Sequence, residues 1–307
     1  MAYEKPERFP CPFCECISGR IPSAIVFENE HAVSFMAVNR RSKGAVLVSP
    51  KRHVEQLSHL KPEEAVGVME VLQKTAKSVC LAYEPSAFHT FCNAGIRAGQ
   101  SVCHMHFQIQ TRFDDTEYSF APSIEIPWIP VDELRKNAQR IQSVTSDINH
   151  FQPKFELKDQ KMEEFTQPLD DLRAQGVVIE ETPCFYAVIP EYARAEGALV
   201  VLPKRPVENY LALSEPERSE LIQLVSRLAD TLEKAYDPIG LSVWSETGVK
   251  ADQHFDHLVV EMTPYAQGTD YKYQDRSQLN KVALSERQSW TQHIIKHLEP
   301  GQCMEIG

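Results

Sequence analysis

Residues 44–60 read GAVLVSPKRHVEQLSHL, and residues 197–213 read GALVVLPKRPVENYLAL, a match without a gap at an offset of 153 positions. The register runs on. It carries AYEP at 82–85 onto AYDP at 235–238, NAGIRAGQ at 93–100 onto ETGVKADQ at 246–253, and His104 onto His257. Across 67 aligned positions there are 18 identities, against about 4 expected from average residue frequencies. The chain is therefore a tandem of two related units, which suits its 307 residues at roughly 100–200 residues per domain. The expected division is a first domain over 1–115 with an N-terminal arm, a connector over 116–165, a second domain over 166–270 and a helical tail over 271–307.

Each copy carries the same pattern of elements. Apolar-rich strands are expected near 24–28, 32–38 and 45–49, and again near 177–181, 185–189 and 198–202. From Pro62 to Tyr83 the residues Val66, Met69, Leu72, Ala76, Val79 and Tyr83 recur at spacings of three and four, the period of a helix with one apolar face, and Glu217–Tyr236 reads likewise. Two more strands follow, near 87–93 and 102–110. The fold class is α+β, each copy an antiparallel sheet with a long helix packed on it. In the connector, Pro122, Pro127, Pro130 and Pro153 act as breaks, with a helix expected across 131–149.

Composition narrows the function classes. A net charge of −11 argues against binding nucleic acid or an anionic membrane, because neutralising phosphates needs clustered positive charge. No apolar run approaches the ~20 residues that span a bilayer, and MAYEKPERFP has no apolar targeting core, so the expected location is cytoplasmic. The eight cysteines are mostly dispersed, and a disulfide framework is not expected there.

The chemistry is concentrated in CHMHFQIQ, residues 103–110. Alternation along a strand sends His104, His106, Gln108 and Gln110 to one face, toward a pocket or solvent. Cys103, Met105, Phe107 and Ile109 go to the buried other face. The second copy keeps the frame and loses the chemistry: His53 becomes Pro206, His106 becomes Val259 and Gln108 becomes Glu261. Upstream, NAGIRAGQS offers Gly95 and Gly99 for close backbone approach, and N–H groups with Gln100 and Ser101 suited to a phosphate. A plain glycine turn would look the same. At the N-terminus CPFC sets Cys11 and Cys14 at the C-x2-C spacing of a zinc site, with further ligands to come from histidines such as His53 and His104. His254, His257 and Glu261 raise a second metal site, less favoured than an interface or core histidine. His31, His59, His89, His150, His293 and His297 have no recognisable partners, and surface or packing roles are expected.

These motifs and their order resemble the histidine triad (HIT) superfamily. Gln108, at the third triad position, narrows the resemblance to the branch of galactose-1-phosphate uridylyltransferase and related nucleotide phosphorylases, which also have tandem copies. The resemblance implies that His106 is a nucleophile carrying a nucleotidyl group, with Gln108 beside it. It also implies a structural zinc on Cys11, Cys14, His53 and His104. Asn93, Gly99, Gln100 and Ser101 fall where relatives bind phosphates, and Phe35 and Asn39 near the base and ribose, although Ala37 stands where many relatives have an acidic residue. The expected partners are a nucleotide donor and a phosphorylated small-molecule acceptor, with a homodimer left open. The expected activity is nucleotidyl transfer or phosphorolysis. The alternatives are a HIT-type hydrolase of dinucleoside polyphosphates or phosphoramidates, and a catalytically silent nucleotide-binding protein.

Overall fold

The computed structural model describes residues 10–38, 42–113, 129–151, 153–156, 167–266 and 279–298. The first copy contains a short helix α1 (Pro12–Ile17), strands β1 (Ile25–Glu28), β2 (Ala32–Met36) and β3 (Val46–Pro50), helix α2 (Pro62–Tyr83), and strands β4 (Ala87–Ala94) and β5 (Phe107–Arg112). After α3 (Val131–Ser143) and α4 (Leu169–Gln175) the second copy repeats the order. It has β6 (Val178–Glu181), β7 (Phe185–Val188), β8 (Leu199–Pro203), α5 (Glu215–Tyr236), β9 (Gly240–Thr247) and β10 (Val260–Tyr265), followed by α6 (Leu284–Ile295).

The two copies share one antiparallel sheet of ten strands, ordered β1-β2-β3-β5-β4-β9-β10-β8-β7-β6. Its centre is the pairing of β4 with β9, in which Phe88 faces Thr247, Ala94 faces Leu241 and Phe91 faces Trp244. At the 153-residue offset Leu241 is the counterpart of Phe88, Thr247 of Ala94 and Trp244 of Phe91. Each residue pairs with the counterpart of the other's partner, the rule of a two-fold interface, here closed within one chain. Phe91 and Trp244 meet their own images as stacked rings with centroids 4.9 Å apart. The helices obey the same symmetry. Gln73 of α2 donates to the carbonyl of Tyr210 at 2.9 Å, and its counterpart Ser226 of α5 donates to that of Leu57, the counterpart of Tyr210, at 2.7 Å.

Both helices lie on one face of the sheet. Val68 and Leu72 of α2, Leu224 and Leu228 of α5, and the inward residues Phe88, Cys92, Phe107, Ile109, Leu241, Val243, Val260 and Met262 form one apolar core. The opposite face of the central strands is mixed, with His89, Asn93, His106 and Gln108 beside the stacked Phe91 and Trp244.

Three boundaries differ from the expectation. Helix α5 starts at Glu215 because Ser214 is its cap, its N–H given to the Glu217 carboxylate at 2.8 Å, a capping box. The connector helix ends at Ser143, where Ser143 Oγ and Thr145 Oγ1 bond the carbonyls of Arg140 and Gln142 and compete with further helical turns. Residues 145–150 continue as a 3-10 turn. The strand expected over 102–110 begins only at Phe107. Before it, Met105 is tied down differently: its N–H goes to the Val54 carbonyl at 2.7 Å and its carbonyl accepts from Ser49 Oγ at 3.0 Å.

Candidate active site and metal centre

The bent approach to β5 turns His104 and His106 toward different neighbours. His104 is fully buried. Its Nε2 lies 3.0 Å from the Pro50 carbonyl, an acceptor that fixes the hydrogen on Nε2 and leaves the Nδ1 lone pair free. That Nδ1 sits 3.5 Å from Cys11 Sγ and 3.6 Å from Cys14 Sγ, while Cys14 Sγ is 3.4 Å from His53 Nδ1. A tetrahedral zinc with Zn–S of ~2.3 Å and Zn–N of ~2.0–2.1 Å separates its sulfur and nitrogen ligands by about 3.6 Å. All four ligand atoms lie within 4.8 Å of one another, and this is the one such group among the described residues. Without a cation Cys14 is unfavourable as a thiolate: burial and the neighbouring Cys11 push its thiol up to about 11. Burial lowers His104 to about 4. A neutral His104 imidazole and a Cys14 thiol that ionises only with help suit a metal such as zinc.

The cysteines belong to α1, and the same turn delivers Phe13. Its ring meets His106 edge-on at 5.0 Å and Phe35 at 5.1 Å. The Cys/His cluster thus lies on the same arm that covers the histidine expected to react. Phe35 is buried in this cluster with Cys11, Val33 and Val102, so its ring packs beneath the arm. Asn39 lies outside the described residues.

His106 is buried, and burial holds its pKa below the ordinary value. Its Nδ1 donates to the His104 carbonyl at 2.8 Å, leaving Nε2 to face the Gln108 carboxamide, whose Nε2 is 3.4 Å away. The polar row is less open than alternation alone implies, since Gln110 is buried and only Gln108 of the two glutamines is partly exposed. Cys103 is half-buried, whereas Met105, Phe107 and Ile109 enter the core as expected.

The glycine turn runs from Gly95 (φ 84°) through a 3-10 turn, Ile96–Ala98, to Gly99 (φ 87°), both in the region that favours glycine. Gln100 does not point outward. Its Oε1 accepts the Gly95 N–H at 2.9 Å and its Nε2 donates to the Glu55 carbonyl at 2.8 Å, so it shapes the turn from inside. Gln253 does the same in the second copy, accepting from Gly248 at 2.7 Å. Gly99 and Ser101 are exposed. Asn93 of β4 accepts from Ser242 Oγ of β9 at 2.8 Å, which turns its Nδ2 toward Gly99, where a Cβ would stand 3.6 Å away. Ser242 comes from the other copy. Nothing in its local sequence marks it; only the β4–β9 pairing brings it there.

The equivalent place in the second copy carries different side chains. Val259 stands for His106, and Arg194 Nε binds Glu261 at 3.0 Å, with Nη2 3.7 Å from Glu246. His257 lies beside Asp256, at 3.4 Å. His254, His257 and Glu261 do not converge on a common point as the metal set does. Of the remaining histidines, His89 is fully buried in the sheet centre against Trp244, and His293 meets the Ala235 carbonyl at 2.7 Å.

A sheet of duplicated α+β units, with paired histidines before one central strand, a glycine turn beside them and a Cys/His set behind, defines the class of fold. The HIT domain model matches residues 18–115 and 172–260, and the chain belongs to the HIT family. Among relatives, "Protein hit" of Bacillus subtilis is 39% identical over 103 residues, covering 34% of this chain and 71% of the relative. An adenosine 5'-monophosphoramidase of Schizosaccharomyces pombe is 30% identical over 133 residues, covering 43% and 96%. A uridylyltransferase structure matches 83% of this chain and 74% of its own, with TM-score 0.52 and 16% identity. That likeness is one of fold. No helix among the described residues is long and apolar enough to cross a membrane.

Proposed function

We propose that the chain is a nucleotidyltransferase or phosphorylase. It would move a nucleoside monophosphate from a nucleotide-sugar or dinucleotide-type donor to phosphate or a sugar phosphate through a nucleotidyl-His106 intermediate. The observation that carries this reading is the pairing of His106 with a carboxamide. Nδ1–H is spent on the His104 carbonyl, so Nε2 is the nucleophile. It attacks the α-phosphorus; the N–P bond forms as the P–O bond to the leaving group breaks. Gln108 donates an N–H to a phosphoryl oxygen, but near neutral pH an amide takes no proton from water. A phosphate acceptor arrives ionised and needs no base; its oxygen forms the new P–O bond as N–P breaks and His106 is restored. Asn93 and the Gly95–Ser101 turn would bind the phosphates. Phe35 contributes through Phe13, and Asn39 belongs to the same expected pocket. In this reading the first domain (1–115) is catalytic, the connector spans 116–165, the second domain (166–270) lacks a nucleophile, and 271–307 is a tail.

Cys11, Cys14, His53 and His104 would hold a structural zinc. With four protein ligands it has no open position for substrate, and it fixes the arm.

Hydrolysis is the second reading, favoured by the phosphoramidase relative. Intact-mass measurement separates the two. With nucleotide donor alone the protein should gain one nucleotidyl group, absent in His106→Ala, and phosphate or a sugar phosphate should remove it. Discharge by water as fast as by a millimolar acceptor would replace transferase with hydrolase.

A further inference from the structure

The polar row continues past Gln108. Gln110 is 1% exposed, and both ends of its carboxamide are used: Oε1 accepts from Ser42 Oγ at 3.1 Å, and Nε2 lies 3.5 Å from Gln108 Oε1. We propose that Gln110 and Ser42 are positioning residues that hold the Gln108 carboxamide with its N–H side toward the reacting nitrogen of His106. This rests on His106 being the nucleophile.

The direction of every hydrogen in the chain follows from one carbonyl. The His104 carbonyl can only accept, so His106 Nδ1 carries the hydrogen. In the attacking ring Nε2 therefore presents a lone pair. A lone pair 3.4 Å from a carboxamide favours its N–H and repels its oxygen. Gln108 Oε1 must then face away, where it needs a donor, and the group that meets it is the Gln110 amide. That leaves Gln110 Oε1 toward Ser42, whose hydroxyl supplies the last hydrogen. Thr111 stands by Ser42 at 3.2 Å but gives its own hydrogen to the Lys43 carbonyl at 2.6 Å.

The chain of amides has a use at the moment of attack. A reversed Gln108 would set its carbonyl oxygen against the incoming anionic phosphoryl group, whereas the held orientation offers a donor that needs no reorganisation. Burying a glutamine in a sheet is costly unless its amide is satisfied, and this one is satisfied only along the line to His106. In the second copy the positions of Ser42, Gln108 and Gln110 are Ala195, Glu261 and Thr263. There Thr263 still donates to Glu261, at 3.3 Å, but a carboxylate has no N–H to present, and Val259 stands in place of His106.

Three variants test it: Gln110→Glu, of the same shape but unable to donate to Gln108 Oε1; Gln110→Leu, which removes both bonds; and Ser42→Ala. Circular dichroism checks that each is folded, and Ser42→Ala carries the test if changes at the buried site unfold the protein. Single-turnover adduct formation should slow about tenfold to a hundredfold in Gln110→Glu, less than or comparable to losing a transition-state donor outright, with donor KM changed by less than about twofold. In a Gln108→Ala background the same change should cost nothing further. Nitrogen NMR of the His106 ring and the Gln108 amide reads the orientation without turnover, and Gln110→Glu should move both signals. Wild-type adduct rates in folded Gln110→Glu, equal losses in both backgrounds, or unmoved signals would overturn the proposal. A wild-type protein that never forms the adduct would instead sink the nucleophile reading, with the NMR result still deciding the relay.

Discussion

His104 is where structure and chemistry meet in one residue. Its Nδ1 joins the Cys/His set, its Nε2 is pinned by Pro50, and its carbonyl selects the hydrogen on His106. Removing the metal should therefore be felt at the reacting ring as well as in stability. Cys14→Ser, or exhaustive chelation of the wild type, should lower stability by at least about 2 kcal/mol and slow adduct formation as Phe13 loosens from His106. Metal analysis, thermal melts and intact mass check this; a metal-free preparation with unchanged melting would remove the zinc assignment. The chelated protein should also become acid-sensitive. Burial sets folded His104 near about 4 against an ordinary 6.5, and burial lowers His89 as well. On acidification the unfolded chain binds these protons first, so the contribution is complete above pH 6.5 and is lost as pH falls from 6.5 toward 4. At this scale the sequence was informative, because CxxC, His53 and the H-x-H-x-Q row carry their chemistry in residue type. What it could not convey was direction: the Gln100 side chain braces the turn from inside, and Phe35 packs beneath Phe13.

Among the elements, the turn into β3 and the end of α2 are locked by one contact that both copies repeat. Gly44 has φ 80° and Gly197 φ 75°, and a Cβ would stand 2.8 Å from the Tyr83 ring and 2.4 Å from the Tyr236 ring. Each tyrosine ends its helix, and the next residue, Glu84 or Asp237, closes it in the left-handed region. Gly44→Ala and Gly197→Ala should each cost about 1–3 kcal/mol in denaturant melts, from positive φ plus a displaced aromatic ring. A neutral result at either would show that the ring yields freely. The periodicity of Pro62–Tyr83 gave its bounds in full, since apolar spacing reflects a helix face directly. The start of β5 was not legible. Residues 102–106 alternate like a strand, but Met105 is held by Val54 and Ser49 instead of a ladder, and those partners are distant in sequence.

In the whole molecule the decisive join is between β4 and β9. The internal repeat revealed two copies, but the merging of their sheets depends on an edge-to-edge pairing whose hydrogen bonds are made by backbone. Trp244 is buried on that seam against Phe91 and His89. Because one core spans both copies, thermal unfolding should be a single transition in circular dichroism and tryptophan fluorescence. Trp244→Ala should cost about 3–5 kcal/mol and impair adduct formation although it lies in the second copy, where Val259 stands for His106. Two resolved transitions would show that the copies are independent.

The self-paired seam also alters how heritable change is counted. In a symmetric pair of identical subunits every substitution is made twice, so a residue tuned for one pocket is imposed on the other. Here each half is written separately, and a change has single dosage. One half carries His106, Gln108 and Gln110 while its mirror image carries Val259, Glu261 and Thr263, with Arg194 paired to Glu261. The second half is thereby free to serve its neighbour, as Ser242 does in holding Asn93.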